Sequence, residues 1–348
     1  MPSLRMQQLF AVPMVLFFAA ACAPESADNV AVAISHVAVG DDSVGGALVV
    51  QDRSGAQRNV DPSSVDLVAE VQDPATGEWE EVKVRFSGKT KRLHTVIVAD
   101  NSGSQDGNLE LVQSASTAFA NGFLEKENKM GLVRVSTESR ILSELSDDRQ
   151  DVDDAINAMF VSNGWTALYD GIRMANEVLE RGASTVDIKN KNWGCVDRPL
   201  GAIVVFTDGR DNNSADMQMT KYEGDGVDTR LGDLMSLSVL GVRTPVYAVG
   251  VGRGVDEVSL SKLAKSTGGF YSPVDNYKEL LGALENEANT LTGASPFCFE
   301  LPWCDVNTVR VHASFELDGE SYTRTIEMAI PEGQCKAKKS KESESKKK

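Results

Sequence analysis

Two apolar runs without a breaker stand out along the chain: Leu93-His94-Thr95-Val96-Ile97-Val98-Ala99 and Ala202-Ile203-Val204-Val205-Phe206. Their β-branched content and length predict strands buried on both faces. Apolar positions between and beyond them recur at helical spacing. Leu111, Val112, Ala115, Phe119 and Phe123 are predicted to share one helix face. Lys129 to Ser136 and Arg140 to Leu145 read as a hairpin, and Val152 to Phe160 and Ala167 to Leu179 as helices. Leu231, Leu234, Leu237 and Leu240 mark a further helix. Val246 to Val251 follows as a strand, Val258 to Lys265 as a helix and Tyr277 to Leu291 as the last helix. Such alternation predicts an α/β domain with a mainly parallel, doubly wound sheet covered on both faces.

The rhythm differs on either side. Residues 30–92 hold short alternating runs, Val30 to Val39, Ala47 to Gln51, Val65 to Gln72 and Glu80 to Phe86. Turn clusters such as Asp61-Pro62 and Asp73-Pro74-Ala75-Thr76-Gly77 separate them. This is the pattern of antiparallel β-structure. It returns at Thr308 to Leu317, a turn at Asp318-Gly319, and Tyr322 to Ile330, a hairpin signal. The two flanks either pair into one β-sandwich, with the α/β part inserted between them, or stand as separate β pieces. The sequence leaves both open.

The chemistry sits where the buried strands end. Asp100-Asn101-Ser102-Gly103-Ser104 follows the first run directly, so a carboxylate and two hydroxyls leave the strand together. These are hard oxygen donors, suited to Mg²⁺, Mn²⁺ or Ca²⁺. Thr166 lies where Asn163-Gly164-Trp165-Thr166 enters a helix, and Asp208 closes the second run in Phe206-Thr207-Asp208-Gly209. In a parallel α/β sheet the carboxyl ends of the strands share one edge, where ligands bind. Asp100, Ser102, Ser104, Thr166 and Asp208 together resemble the metal-ion-dependent adhesion site of von Willebrand factor type A domains. The resemblance spans Leu93 to about Leu291, with Trp165 standing where that family often has a second Gly. It implies that Ser102, Ser104 and Thr166 act as neutral ligands of a divalent ion, most readily Mg²⁺. Asp100 and Asp208 would bind it directly or through water. A coordination position would be left for the Asp or Glu of a protein partner.

Other segments add context. Arg5 followed by the apolar run Leu9 to Ala21 reads as an export signal, too short for a spanning helix. Its end at Ala19-Ala20-Ala21-Cys22 suggests cleavage before Cys22 and a lipid on that thiol. Plain secretion through an ordinary small-residue site is the alternative. Residues 22–29 would form a tether. Residue 23 is Ala rather than Asp, so an outer-membrane or surface location is expected, with a periplasmic or secreted form as the other possibility. After export, Cys195, Cys298, Cys304 and Cys335 are disulfide candidates, and three connectivities are open. Zinc is the competing reading, but Cys298 and Cys304 lack the spacing of a zinc knuckle.

The net charge is −16, and the low-complexity segment from Lys336 to Lys348 holds seven Lys against two Glu, so the body before it is more acidic still. That excludes nucleic acid as an expected partner, and the Lys-rich tail is expected to be disordered. Gly88-Lys89-Thr90 fails as a phosphate loop because position 83 is Lys, and Gly250-Val251-Gly252 fails as a dinucleotide turn because position 255 is Val. The three histidines, His36, His94 and His312, show no paired helical spacing. The polar stretch Arg210 to Gly226 is either a partner-selecting loop or a solvated one.

The expected organisation is a signal at 1–21, the tether at 22–29 and a β-rich segment at 30–92. A von Willebrand factor type A-like domain at 93–291, a β-rich segment at 292–335 and the tail at 336–348 complete it. The expected function is metal-dependent protein binding at the cell envelope, for adhesion or scaffolding, without catalysis. An adaptor for an AAA+ ATPase and a metal-dependent enzyme are the competing readings, the first set back by the export signal and the second by the lack of a nearby base or nucleophile.

Overall fold

The computed structural model describes residues 30–329 apart from 40–42, 53–63, 87–91, 125–126, 163, 185–198, 215–228, 240–241, 303–305, 307 and 318. The signal, the tether, Cys22, Cys195, Cys304, Cys335 and the Lys-rich tail lie outside that set.

The central sheet runs β13(Tyr271–Val274), β12(Val246–Val251), β9(Leu200–Thr207), β6(Leu93–Asp100), β7(Lys129–Val135) and β8(Arg140–Ser146). Every neighbouring pair is parallel except β7 and β8, the expected hairpin. All residues of β6 are buried, as its uninterrupted apolar run predicts. Helices α1(Leu109–Phe123), α2(Arg149–Asn157) and α6(Tyr277–Thr292) cover one face. Helices α3(Leu168–Ser184), α4(Leu231–Leu234) and α5(Glu257–Thr267) cover the other. The chain leaves β6 for β7 on one side and later returns to β9 on the other. That makes the carboxyl ends of β6 and β9 the topological switch point of the sheet.

Two helical expectations need correction. The leucine series from Leu231 yields only the single turn of α4. Ser238–Val239 then becomes β10, which pairs with β11(Val242–Arg243), and β11 in turn pairs with β1(Val30–Val39). Strand pairing at the sheet edge overrides the helical spacing there; Leu240 itself lies outside the described residues. Leu111 also leaves the buried face of α1 and is 37% exposed, whereas Val112, Ala115, Phe119 and Phe123 are fully buried.

The β-rich flanks interleave. One sheet runs β10, β11, β1(Val30–Val39), β2(Ser43–Asp52), β14(Ser295–Glu300) and β5(Arg85–Phe86). The other runs β16(Glu320–Ala329), β15(Thr308–Leu317), β3(Asp66–Gln72) and β4(Trp79–Lys83). In each sheet a strand from beyond the α/β part pairs with one from before it, β14 with β2 and β15 with β3. Alternate residues along β15 are buried, as a sheet with one face on a core requires. Val44, Leu48 and Val50 of β2 join Phe297, Phe299, Val309, Val311 and Phe315 in that shared core.

Strand β2 joins the two cores because its side chains alternate. Ala47 and Val49 point the other way and pack with Leu291 and Ala294 of the α/β core. Gln51 follows on the same face and donates to Thr290 Oγ1 at 2.8 Å and to Glu287 Oε2 at 3.4 Å. Ser272 Oγ donates to Glu287 Oε1 at 2.9 Å, and the buried ring of Tyr247 lies beside it. A second seam forms where the bulged β1 meets the end of α5. Gly268 caps α5 with φ +85, and a Cβ there would come within 2.8 Å of the Ile34 carbonyl oxygen. Both facts require glycine.

Glu287 makes the first seam sensitive to pH. Burial pushes its carboxyl up to about 8, against an ordinary 4.5, while Ser272 and Gln51 oppose the shift. A group raised in the folded state is protonated there while the unfolded chain has already ionised. Its contribution is therefore complete below about pH 4.5 and is lost progressively as pH rises towards about 8. Urea midpoints measured across that window should fall more steeply for the native chain than for Glu287→Gln. Parallel pH profiles for the two would contradict a neutral Glu287.

Candidate functional site

Strand β6 brings Asp100 to its carboxyl end, where the residue is fully buried. The chain then turns sharply. Ser102 is extended and a short 3-10 turn, Gly103–Gln105, precedes α1. Ser102 N donates to Asp100 Oδ1 at 2.9 Å, locking the carboxylate against its own loop. Ser102 Oγ lies 3.1 Å from Ser104 Oγ, and Ser104 Oγ donates to Asp208 Oδ1 at 2.7 Å. The loop after β6 is thus tied directly to the end of β9. Thr207, the last residue of β9, donates its hydroxyl to Asp100 Oδ2 at 2.5 Å and receives Gly209 N at 3.1 Å.

Thr166 closes the group from the connection that enters α3. It is buried, beside an exposed Trp165. A methyl placed on Gly209 would lie 3.8 Å from Thr166 Oγ1, 3.9 Å from Asp100 Oδ2 and 4.0 Å from Thr207 Oγ1. Oxygens from three separate segments therefore face one point beside a residue that has no side chain. Asp100, Ser102 and Thr166 are buried, Asp208 is half-buried and Ser104 is exposed, so the cluster opens to solvent on one side.

Residues that sequence reasoning did not assign hold this arrangement. Thr166 N donates to Asn212 Oδ1 at 2.7 Å, and Asn212 N returns a bond to Thr166 O at 3.0 Å. Tyr169 N donates to Asp211 Oδ1 at 3.1 Å and Asp170 N to Ser214 Oγ at 3.0 Å. The first part of the polar stretch after Asp208 therefore satisfies the free N–H groups at the start of α3, where an acidic residue also complements the helix dipole. It clamps Thr166 while Arg210 and Asn212 stay exposed. Its remainder, with Asp216 and Asp225, lies outside the described residues. The only signal for the clamp was the Asp, Asn and Ser content of the stretch, which suits helix N-caps. Thr207 gave a comparable signal, a hydroxyl closing an apolar strand.

The electrostatics are those of a carboxylate pair short of positive charge. Burial pushes the Asp100 carboxyl up, the hydrogen bonds from Thr207 and Ser102 oppose it, and the charge of Asp208 adds to the rise. Neither aspartate forms a salt bridge among the described residues. Both side-chain polar atoms of buried Asn101 lack partners, and the Tyr277 hydroxyl lies beside Asp208 and Gln105. Burial and Asp208 raise the Tyr277 hydroxyl, which therefore stays protonated.

A donor set of two carboxylates and three hydroxyls fits a hard divalent cation, which would also relieve the repulsion between the aspartates. Among the described residues no group of three or more His, Cys, Asp or Glu offers a softer site. Cys298 is buried on β14, far along the chain from this edge; Cys22, Cys195, Cys304 and Cys335 fall outside the described residues.

Residues 95–210 match the family model of the von Willebrand factor type A domain. No curated protein matches the chain. Similar solved structures include a von Willebrand factor type A protein from Catenulispora acidiphila, at 11% identity and TM-score 0.46, covering 88% of this chain and 74% of that one. Proximal thread matrix protein 1 from the mussel byssus is 16% identical with TM-score 0.44, covering 59% of this chain and 50% of that one. It is also known with a zinc-occupied adhesion motif. The von Willebrand factor domain of the type V pili tip protein Mfa5 from Porphyromonas gingivalis is 13% identical with TM-score 0.42, covering 58% of this chain and 95% of that one. The matched segment, the strand order and the helices on both faces make this a von Willebrand factor type A-like α/β fold flanked by antiparallel sheets.

Proposed function

We propose that the α/β domain is a protein-binding module that holds a divalent ion, most readily Mg²⁺, with Mn²⁺ or Ca²⁺ also suited to its oxygens. Asp100, Ser102, Ser104, Thr166 and Asp208 would hold it. One observation carries the reading: two aspartates from different strand ends are linked through one serine loop, Asp100 by the Ser102 N–H and Asp208 by the Ser104 hydroxyl, with no salt bridge to neutralise them among the described residues. The bound ion would supply an electrophilic position for an exogenous carboxylate. Ser102 and Ser104 fix the loop, Thr207 orients Asp100, and the Asn212 clamp sets the position of Thr166. With three neutral hydroxyls in the set, the ion would keep much of its charge for a partner's Asp or Glu. None of these groups is a free base or nucleophile aimed at a substrate, so the reading is binding rather than catalysis.

The location follows from the sequence. Cleavage before Cys22 and lipidation of its thiol would tether the module at the outer membrane or cell surface, bringing it to envelope partners. Export would also oxidise the remaining cysteines. The acidic body would repel an acidic partner at long range, over a Debye length of about 8 Å at physiological salt, so the ion must supply the local attraction.

Calorimetry tests the metal. The native chain should bind one Mg²⁺ or Mn²⁺, and the double variant Asp100→Ala with Ser102→Ala should bind none while keeping its fold. Asn212→Ala should weaken Mg²⁺ severalfold, since one lost part-buried hydrogen bond is worth about 0.5–1.5 kcal/mol. Unchanged binding by the double variant would rule the site out.

Mass spectrometry tests the location. The mature protein should carry a lipid-sized increment on Cys22 and no alkylatable thiol at Cys195, Cys298, Cys304 or Cys335. An unmodified Cys22 would leave plain secretion. Four free thiols in native exported protein would contradict an oxidised envelope form.

A further inference from the structure

The large hydrophobic side chains that stay exposed are gathered at one end of the molecule. Among the described residues they are Leu111, Phe160, Trp165, Val258 and Leu281. Leu111, Val258 and Leu281 lie within the first turn and a half of α1, α5 and α6, helices that start just beyond the carboxyl ends of β6, β12 and β13. Phe160 and Trp165 lie in the connection from α2 to α3. That connection is held to the same edge by Ser162 N donating to Asn101 O and Trp165 N donating to Thr137 Oγ1. Phe160 is 54% exposed, Trp165 47% and Val258 78%, large values for side chains of this kind. Isolated exposed apolar residues are ordinary, but gathering on one edge marks an interaction surface.

Phe160 also covers a charge. The Arg134 guanidinium stacks 4.2 Å from the centre of its ring. Arg134 is only 3% exposed, and its Nε and Nη1 have no hydrogen-bond partner. Glu138, the acidic group that acts on it, is already bonded to Arg140. The cation–π contact fixes the ring while Phe160 itself stays 54% exposed.

We propose that the carboxyl edge of the sheet docks a partner segment in which an Asp or Glu is flanked closely by Leu- or Phe-type side chains. The carboxylate would meet the metal position, and the apolar flanks would lie on Phe160 and Trp165. This rests on the metal reading above and adds what that reading lacks, the chemistry that selects among carboxylates. Any exposed Asp or Glu could approach an ion, but only one set in an apolar stretch would also cover the aromatic rim. Aromatic side chains of this kind supply much of the affinity in such interfaces.

The test uses the full chain with Mg²⁺ and three fluorescent nonapeptides, read by anisotropy. The first has a central Glu flanked by Leu and Phe, the second the same Glu flanked by Ser, and the third a central Gln flanked by Leu and Phe. The first should bind at least about tenfold more tightly than either of the others. Phe160→Ser or Trp165→Ser, at exposed positions where folding should persist, should reduce the first to the level of the second. Trp79→Ser, on the remote sandwich, should leave it unchanged. Equal, Mg²⁺-dependent binding of the first and second would overturn the docking proposal and leave the metal reading standing. Equal binding of the first and third, or binding that persists in EDTA, would overturn the metal reading instead. Sedimentation showing a dimer that Trp165→Ser abolishes would make the occupant a second copy of this chain and would likewise overturn the proposal.

Discussion

A carboxylate buried as deeply as Asp100 is costly in the ionised form, on the order of several kcal/mol, unless its surroundings compensate. Here the surroundings compensate only in part. Ser102 N and the Thr207 hydroxyl bind its two oxygens, yet the nearest charge is a second carboxylate, Asp208. The neighbouring structure is arranged around that unresolved pair. The turn after β6 bends so that Ser104 can bridge to Asp208, Gly209 leaves room where the oxygens converge, and the Asp211 to Ser214 stretch clamps Thr166 opposite. A divalent cation is the simplest way to make such an arrangement favourable, and the switch point of the sheet is where a doubly wound fold offers it a place.

The sandwich is joined to the α/β core through β2. Because β2 alternates, one face completes the sandwich and the other completes the α/β core, so the two parts share a single strand rather than a flexible linker. The polar contacts in that seam, Gln51 with Thr290 and Glu287, involve a carboxyl whose pKa burial raises rather than an ion pair. Helix α6 carries both ends of this link. Glu287 and Thr290 lie in the seam, while Tyr277 at its start sits beside Asp208. The anchoring of the sandwich and the shape of the oxygen cluster therefore depend on the same helix.

The α/β core was legible because its signals are local. A continuous apolar strand, a helical period and an oxygen-rich turn at a strand end can each be read within about ten residues. What could not be read depends on contacts distant in sequence. The leucine series from Leu231 has helical spacing, but pairing of Ser238 and Val239 with β11 ends the helix after one turn. Strands β13 and β14 were hidden by Pro273 and Pro296. Pro273 sits on the edge strand of its sheet, and Pro296 lies just outside the short pairing with β5, places where proline is tolerated. The interleaving of the flanks, left open by the sequence, is fixed by β14 and β15 pairing with β2 and β3 across the whole inserted domain. In the cluster, the convergence of Asp100, Ser102, Ser104 and Asp208 follows from strand order. The roles of Thr207 and Asn212 needed the folded geometry.

The account stands on a cation at the end of β6. The most direct measurement is the anomalous difference map of a crystal grown in Mn²⁺. It should show one strong peak within direct coordination distance of the Ser102 and Ser104 hydroxyls and enclosed by Asp100, Thr166 and Asp208. A map with no peak at that edge, despite Mn²⁺ well above millimolar in the crystal, would contradict it and leave the carboxylate pair as a purely structural hydrogen-bonded cluster.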